Sequence, residues 1–439
     1  MVEDTLEAPT LKGNITSFFL IGCAVGAVLV SFMADKLGRK KSIIIGGILF
    51  SLGGLGQALS PSLVWFFYLT RIISGVGIGI LSMVVPLYIS ETAPTDVRGR
   101  MISVQQLMIT IGIFVAALIN TAIRAAQQGS ETEWRLSLGM QVIPGGILIL
   151  MMSFMPNSPR WLEDNNKSEA ALVTLAKIRS QSTTSPAVAS EYNEIREGVE
   201  YERQIGSATI LELLKPGIIN RILIACTLQF FQQWTGINVI LYYASDLFKG
   251  MGFDYATAST KLNIINAAIN IVGTFPGMYL IERIGRRRLL IFGGLGMGIS
   301  HYMVCLFIGL SKGGNSSYSF GAVIFVYIFI LFFSSTWGPV VWVYQSEIFP
   351  QRIRAKGTGI ATFVNWTMNA IIAKATPLII AAIDFKLYII FGTTGITMAA
   401  FCIAFVPETM GKSLEEMETL FGSQVRIDGE QGFIQKSKT

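Results

Sequence analysis

The chain has 439 residues, of which 51% are hydrophobic and only 14% charged, far below the roughly one quarter charged that a soluble domain carries. An ordinary soluble domain is excluded. The formal net charge of +6 needs no nucleic acid to account for it, because basic loops of a membrane protein face anionic inner-leaflet lipid.

The amino terminus, MVEDTLEAPTLKGN, is acidic and lacks the basic region that precedes the apolar core of a cleavable signal peptide. The spans themselves must direct insertion. Apolar runs of about 20 residues predict an all-α membrane protein with spans at 14–34, 42–60, 63–89, 101–123, 136–155, 219–245, 261–281, 288–310, 319–346, 357–381 and 385–406. These eleven spans divide the chain into a first transmembrane bundle (1–155), a cytoplasmic helical linker (156–218), a second bundle (219–406) and a cytoplasmic tail (407–439). Within the linker, KSEAALVTLAKIRS (167–180) sets Ala171, Leu172, Leu175 and Ile178 at helical spacing among charges. Cys23, Cys226, Cys305 and Cys402 fall inside spans at no metal or disulfide spacing and read as packing residues. The only histidine, His301, lies mid-span and reads as a packing or water-bonded side chain rather than a proton relay. No cofactor and no metal site are expected.

Alternate loops collect the basic residues on one side, among them Lys36, Arg39, Lys40, Lys41, Arg98, Arg283, Arg286, Arg287, Arg288, Arg352 and Arg354. The positive-inside rule makes that side cytoplasmic. The same turns repeat. ADKLGRKK (34–41) is echoed by IERIGRRR (281–288), YISETAPTDVRGR (88–100) by YQSEIFPQRIRAK (344–356), and more weakly PNSPR (156–160) by PET (407–409). Parallel halves of this kind build many transporters, with the site at their interface near the membrane midplane. The first turn follows the first span of one half but the second span of the other, so the registers agree only if one span is lacking before residue 14. The expectation is an amino-terminally truncated form that transports poorly.

One apolar stretch, QFFQQWTGINVILYY (229–243), carries Gln232, Gln233, Asn238, Tyr242 and Tyr243. In hydrocarbon an unsatisfied amide is costly, so such side chains face protein, a water-filled cavity or a polar ligand. A sugar hydroxyl both donates and accepts, and an amide complements it by presenting one of each. Gly236 weakens the helix between the glutamines and Asn238, so a break is expected there. Taken singly, each amide reads equally as an interhelical hydrogen bond.

DKLGRKK, PLYISETAPTDVRGR, PNSPRWL, QQWTGINVILYY, ERIGRRR, WGPVVWVYQSEIFPQRIRAKG, NWTMN and PETMGKS resemble the sugar-porter group of the major facilitator superfamily, in wording closest to its fungal members. The resemblance runs from residue 14 to about residue 420. It implies two pseudo-symmetric six-helix bundles, here five spans plus six, with a helical insert between them. It points to Gln106, Gln232, Gln233, Asn238, Asn270, Trp342 and Asn369 as sugar ligands and to Tyr242 and Tyr243 as gate residues. The glycine and proline before Trp342 invite a broken helix. It also implies a cytoplasmic salt-bridge lock, with Asp35 set against Arg39, Glu91 against Arg98, Glu282 against Arg286 and Glu347 against Arg354, and with Arg160 and Glu408 alongside.

Four positions bear on departures from the family pattern. Asn157 stands where the family has a glutamate, which weakens the lock in the first half. Ser334 replaces an acid found in animal facilitators. Arg71 matches an arginine that in proton-coupled relatives answers an aspartate on the first helix. Lys374 is a further charge within a span, either snorkelling or meeting the substrate.

The sequence thus reads as a monosaccharide carrier, for a hexose, working by alternating access with protons as a candidate partner. It is expected as a monomeric multi-pass protein of the plasma membrane, with a small-molecule sugar and the lipid bilayer as partners and no nucleic acid. A non-transporting sugar sensor and a quinate or polyol permease remain as alternatives. An enzyme is not expected, since no nucleophile–base pair, metal set or phosphate-binding loop is present.

Overall fold

The computed structural model describes residues 7–61, 63–94, 98–205, 210–254, 257–312, 317–411 and 421. Most of the expected tail therefore lies outside the described residues. The first half holds α1 (Glu7–Leu37), α2 (Arg39–Ala58), α3 (Val64–Thr92), α4 (Arg98–Gln127), α5 (Glu131–Gly139) and α6 (Val142–Phe154). Next come three helices of the connecting segment, α7 (Pro159–Asp164), α8 (Ser168–Arg179) and α9 (Pro186–Ile205). The second half holds α10 (Ile218–Gln233), α11 (Ile237–Gly250), α12 (Asn263–Leu280), α13 (Arg286–Ser311), α14 (Ser317–Ser335), α15 (Trp337–Ile348), α16 (Gln351–Ile383) and α17 (Leu387–Phe405). No strand occurs among the described residues. This is what lipid demands, because a helix satisfies its own backbone.

Among the described residues eight stretches are long and apolar enough to cross a membrane, and one of them, Lys356–Phe405, takes in most of α16 and all of α17. The predicted spans at 219–245 and 261–281 fall outside these stretches. The first is split into two short helices, α10 and α11, and the second, α12, carries Asn263, Asn266 and Asn270. Both of these segments carry buried amides.

Packing follows the sequence repeat closely. α1 lies against α3, where a Cβ at Gly75 would overlap the Phe19 carbonyl and one at Gly79 the Cys23 carbonyl. Small residues here let two backbones touch, the usual source of helix association in lipid. The halves meet where α1 packs on α16 and α4 on α12. In the repeat α1 corresponds to α12 and α4 to α16, so the two contacts exchange under the pseudo-symmetry. Ser17 donates to the Ala370 carbonyl across the first of these seams, and Trp366 Nε1, also on α16, donates to Ser82 Oγ of α3.

The repeated turns have matching geometry. Gly38 (φ 87°, ψ 158°) and Gly285 (φ 93°, ψ 159°) open α2 and α13 in the same left-handed conformation, which favours glycine. The next residue of each, Arg39 and Arg286, donates to the Ala34 and Ile281 carbonyls. Tyr88 and Tyr344 donate to the Pro156 and Pro407 carbonyls. The weakest repeat, PNSPR against PET, is therefore structural: each proline anchors a tyrosine of its own half.

The connecting segment forms a small core of its own. Ala171 and Leu175 are buried as the helical spacing predicts, while Leu172 and Ile178 are half-buried. Arg179 pairs with Glu191 and donates to the Thr92 carbonyl, which docks α8 on the end of α3.

Candidate functional site

The predicted break at Gly236 is present. α10 ends at Gln233, Gly236 adopts φ 90° and ψ −2°, and α11 restarts at Ile237. A second break falls at Thr336 (φ −130°, ψ −85°), just before the Gly338–Pro339 pair at the start of α15. The two breaks face each other: Gln232 Nε2 donates to the Trp337 and Gly338 carbonyls at 2.9 and 3.2 Å. The amide of Gln232 thus ties the end of α10 to the first turn of α15.

Around this contact the amides gather. Gln232, Gln233, Asn238, Asn270 and Asn369 are all buried. Asn238 donates to Gln233 across the break. Asn369, on α16, accepts from the Tyr242 hydroxyl at 3.3 Å, and Tyr243 donates to the Ala373 carbonyl at 2.8 Å. Tyr243 also interrupts α11 (φ −121°, ψ 22°), so both tyrosines tie a kinked helix to α16. Gln106, from α4 of the opposite half, is half-buried with Nε2 beside Gly338. Asn270 lies on the face of α12 that meets Ser334 through Gly273, and its side chain makes no hydrogen bond among the described residues. Trp342, one turn beyond the second break, is half-buried. Five helices, α4, α10, α11, α15 and α16, thus bring polar groups to one place.

Sequence reasoning missed part of the cluster. Asn365 donates to Gln229 and, at 2.8 Å, to Gln232, and Gln345 reaches Thr362 at 3.2 Å. Asn365 lies one turn before Asn369 in NWTMN, and that i, i+4 spacing was the available signal. Gln345 and Gln229 sit in quoted motifs with nothing to mark their facing direction. The cluster can do what interlocking amides do: offer a paired donor and acceptor to each hydroxyl of a polyhydroxylated ligand.

Arg71 is half-buried between the rings of Phe19 and Phe67, at 5.8 and 5.4 Å, and its Nε has no partner. Ser334 turns its hydroxyl back onto the Ile330 carbonyl. Lys374 is exposed, with its backbone against Gly13 of α1.

At the basic end the ion pairs form within each half. Arg39 bridges Asp35 at 3.2 Å and Glu91 at 2.9 Å, and Arg286 bridges Glu347 at 2.7 Å. Arg286 meets Glu347, not Glu282, which is exposed. Glu408 accepts from the backbone of Arg286 and Arg287, while Asn157 makes no such bond, so the departure noted in the sequence has a structural counterpart. Arg354 donates to the Phe349 carbonyl, and Arg160 is half-buried. The side chain of Arg98 lies outside those described. Among the described residues no group of three metal-ligating side chains occurs.

Residues 2–421 match the sequence profile described as "Sugar (and other) transporter". The chain is 35% identical to the "High glucose sensor RGT2" of Saccharomyces cerevisiae over 93% of its own length, and spans about half (54%) of that longer relative. It is 32% identical to the "Low-affinity glucose transporter HXT3" of the same yeast, covering 94% of this chain and 74% of the relative. Its structure is similar to the major facilitator superfamily proton:xylose symporter XylE bound to 6-bromo-6-deoxy-D-glucose, with a TM-score of 0.81 and 31% identity, covering 95% of this chain and 91% of that one. The fold is that of the major facilitator superfamily. The chain belongs to the sugar transporter family, as a multi-pass membrane protein.

Proposed function

We infer that this chain carries a monosaccharide, a hexose, across a membrane by alternating access. The observation that carries the reading is the convergence of Gln232, Gln233, Asn238 and Asn369 on two facing helix breaks. Such a site rejects analogues lacking a hydroxyl, because its own buried amides would be left unpaired. The halves meet mainly along α1/α16 and α4/α12, a pair of seams about which they can rock around the site. Tyr242 and Tyr243 act as gates on α11, and the Arg39–Glu91 and Arg286–Glu347 pairs as components of the inner lock. Arg71, with its unpartnered Nε, supports coupling to protons. The plasma membrane and a monomeric state complete the reading. No chemical step is assigned to the protein.

A second reading, a sugar sensor, is favoured by the likeness to a yeast glucose sensor. Counterflow of labelled glucose in proteoliposomes separates the two. A transient overshoot is expected from a carrier, and saturable binding without counterflow would establish the sensor.

A further inference from the structure

His301 is the only histidine in the chain, and α13 buries it to 1% exposure behind the first helix break. Its Nε2 lies 2.8 Å from the Thr235 carbonyl. A carbonyl only accepts, so Nε2 carries the proton and Nδ1 is the bare nitrogen. Nδ1 is buried and has no partner, so the ring makes one hydrogen bond and spends it on that carbonyl. The rings of Phe329 and Phe391 pack against it at 4.2 and 5.6 Å, tilted by 42° and 45°, and confine the ring. A Cβ on Gly236 would lie 2.9 Å from the Phe391 ring and 3.1 Å from His301 Nε2. The break is therefore gripped by α13 and α17.

We propose that His301 is a positioning residue for the ligand site: by holding the Thr235 carbonyl it fixes the angle at which α11 leaves α10, and so sets Asn238 against Gln232 and Gln233. This rests on the reading of those three amides as sugar ligands. The physical need is plain. Helix α10 ends inside the bundle, where Thr235 is 1% exposed, and an unpaired carbonyl there would be relieved by the chain straightening or shifting. With His301 in place, α11 has a fixed base about which its kink at Tyr243 bends.

The test compares His301→Phe, His301→Gln and His301→Asn in the full chain, purified in detergent. Glutamine brings an N–H to about the reach of Nε2, asparagine stops short, and phenylalanine keeps the volume without a donor. Two readouts are taken: hydrogen exchange of the peptide spanning 234–243, and affinity for D-glucose. Exchange is expected to rise roughly tenfold in the Phe and Asn variants, the effect of losing one buried hydrogen bond, and to stay near wild type in the Gln variant. D-glucose affinity should fall with it by about tenfold. Unchanged exchange in a folded Phe or Asn variant overturns the proposal, as does equal loss in all three. Faster exchange with unchanged affinity would leave the clamp standing and sink the ligand assignment instead.

Discussion

Neighbouring glutamines on one helix do different work. Gln232 holds two carbonyls of the opposite break and accepts from Asn365, whereas Gln233 accepts only from Asn238. We predict that Gln232→Ala lowers thermal stability by about 1–3 kcal/mol, since it removes the buried hydrogen bonds to the Trp337 and Gly338 carbonyls and from Asn365. Gln233→Ala should melt close to wild type, and equal melting shifts for the two would contradict this division. Asn157 offers the reverse experiment. A glutamate there would reproduce the position of Glu408, whose carboxylate accepts the backbone N–H groups of Arg286 and Arg287 across the turn. Asn157→Glu is expected to raise stability by about 1 kcal/mol, the modest gain of a partly exposed charge-assisted bond; an unchanged or lower melting temperature would show that the first-half turn cannot receive it.

At the scale of elements, the close crossing of α1 and α3 sets a steric limit. Gly75→Leu should abolish monodisperse folded protein, because its Cβ already overlaps the Phe19 carbonyl. Gly112→Ala, with nothing within 4 Å, should fold normally and gain roughly 0.5–1 kcal/mol of helix stability. Size-exclusion profiles of the pair decide it. The Glu347 carboxylate ties α15 to Arg286 and to Thr409. Glu347→Gln weakens that tie by about 1 kcal/mol, since the pair is partly exposed, and should shift a two-state carrier several-fold toward the inward-open form. An outside-only inhibitor should then bind less well while inside binding persists, and equal loss on both sides would point to misfolding.

Much of the whole molecule was legible in its sequence, for identifiable reasons. Apolar length and the paired turns prescribe helices and two halves, and a glycine between polar residues marks the break at Gly236. Facing direction was not legible. Nothing in QFFQQ says that Gln229 meets Asn365 from 136 residues away, and nothing local favours Glu347 over Glu282 for Arg286. Likewise His301 read as bland packing until Thr235 was seen in front of it. Contacts between distant segments decide such matters, and one sequence does not encode them locally.

All of this converges on the claim that amides at two facing breaks bind a hexose. The most direct measurement is equilibrium binding of radiolabelled D-glucose to the purified full chain and to Gln233→Ala, at matched melting temperature. The account predicts about tenfold to a hundredfold weaker binding in the variant, the loss of one buried hydrogen bond to ligand. Identical affinities in two equally folded proteins would contradict it.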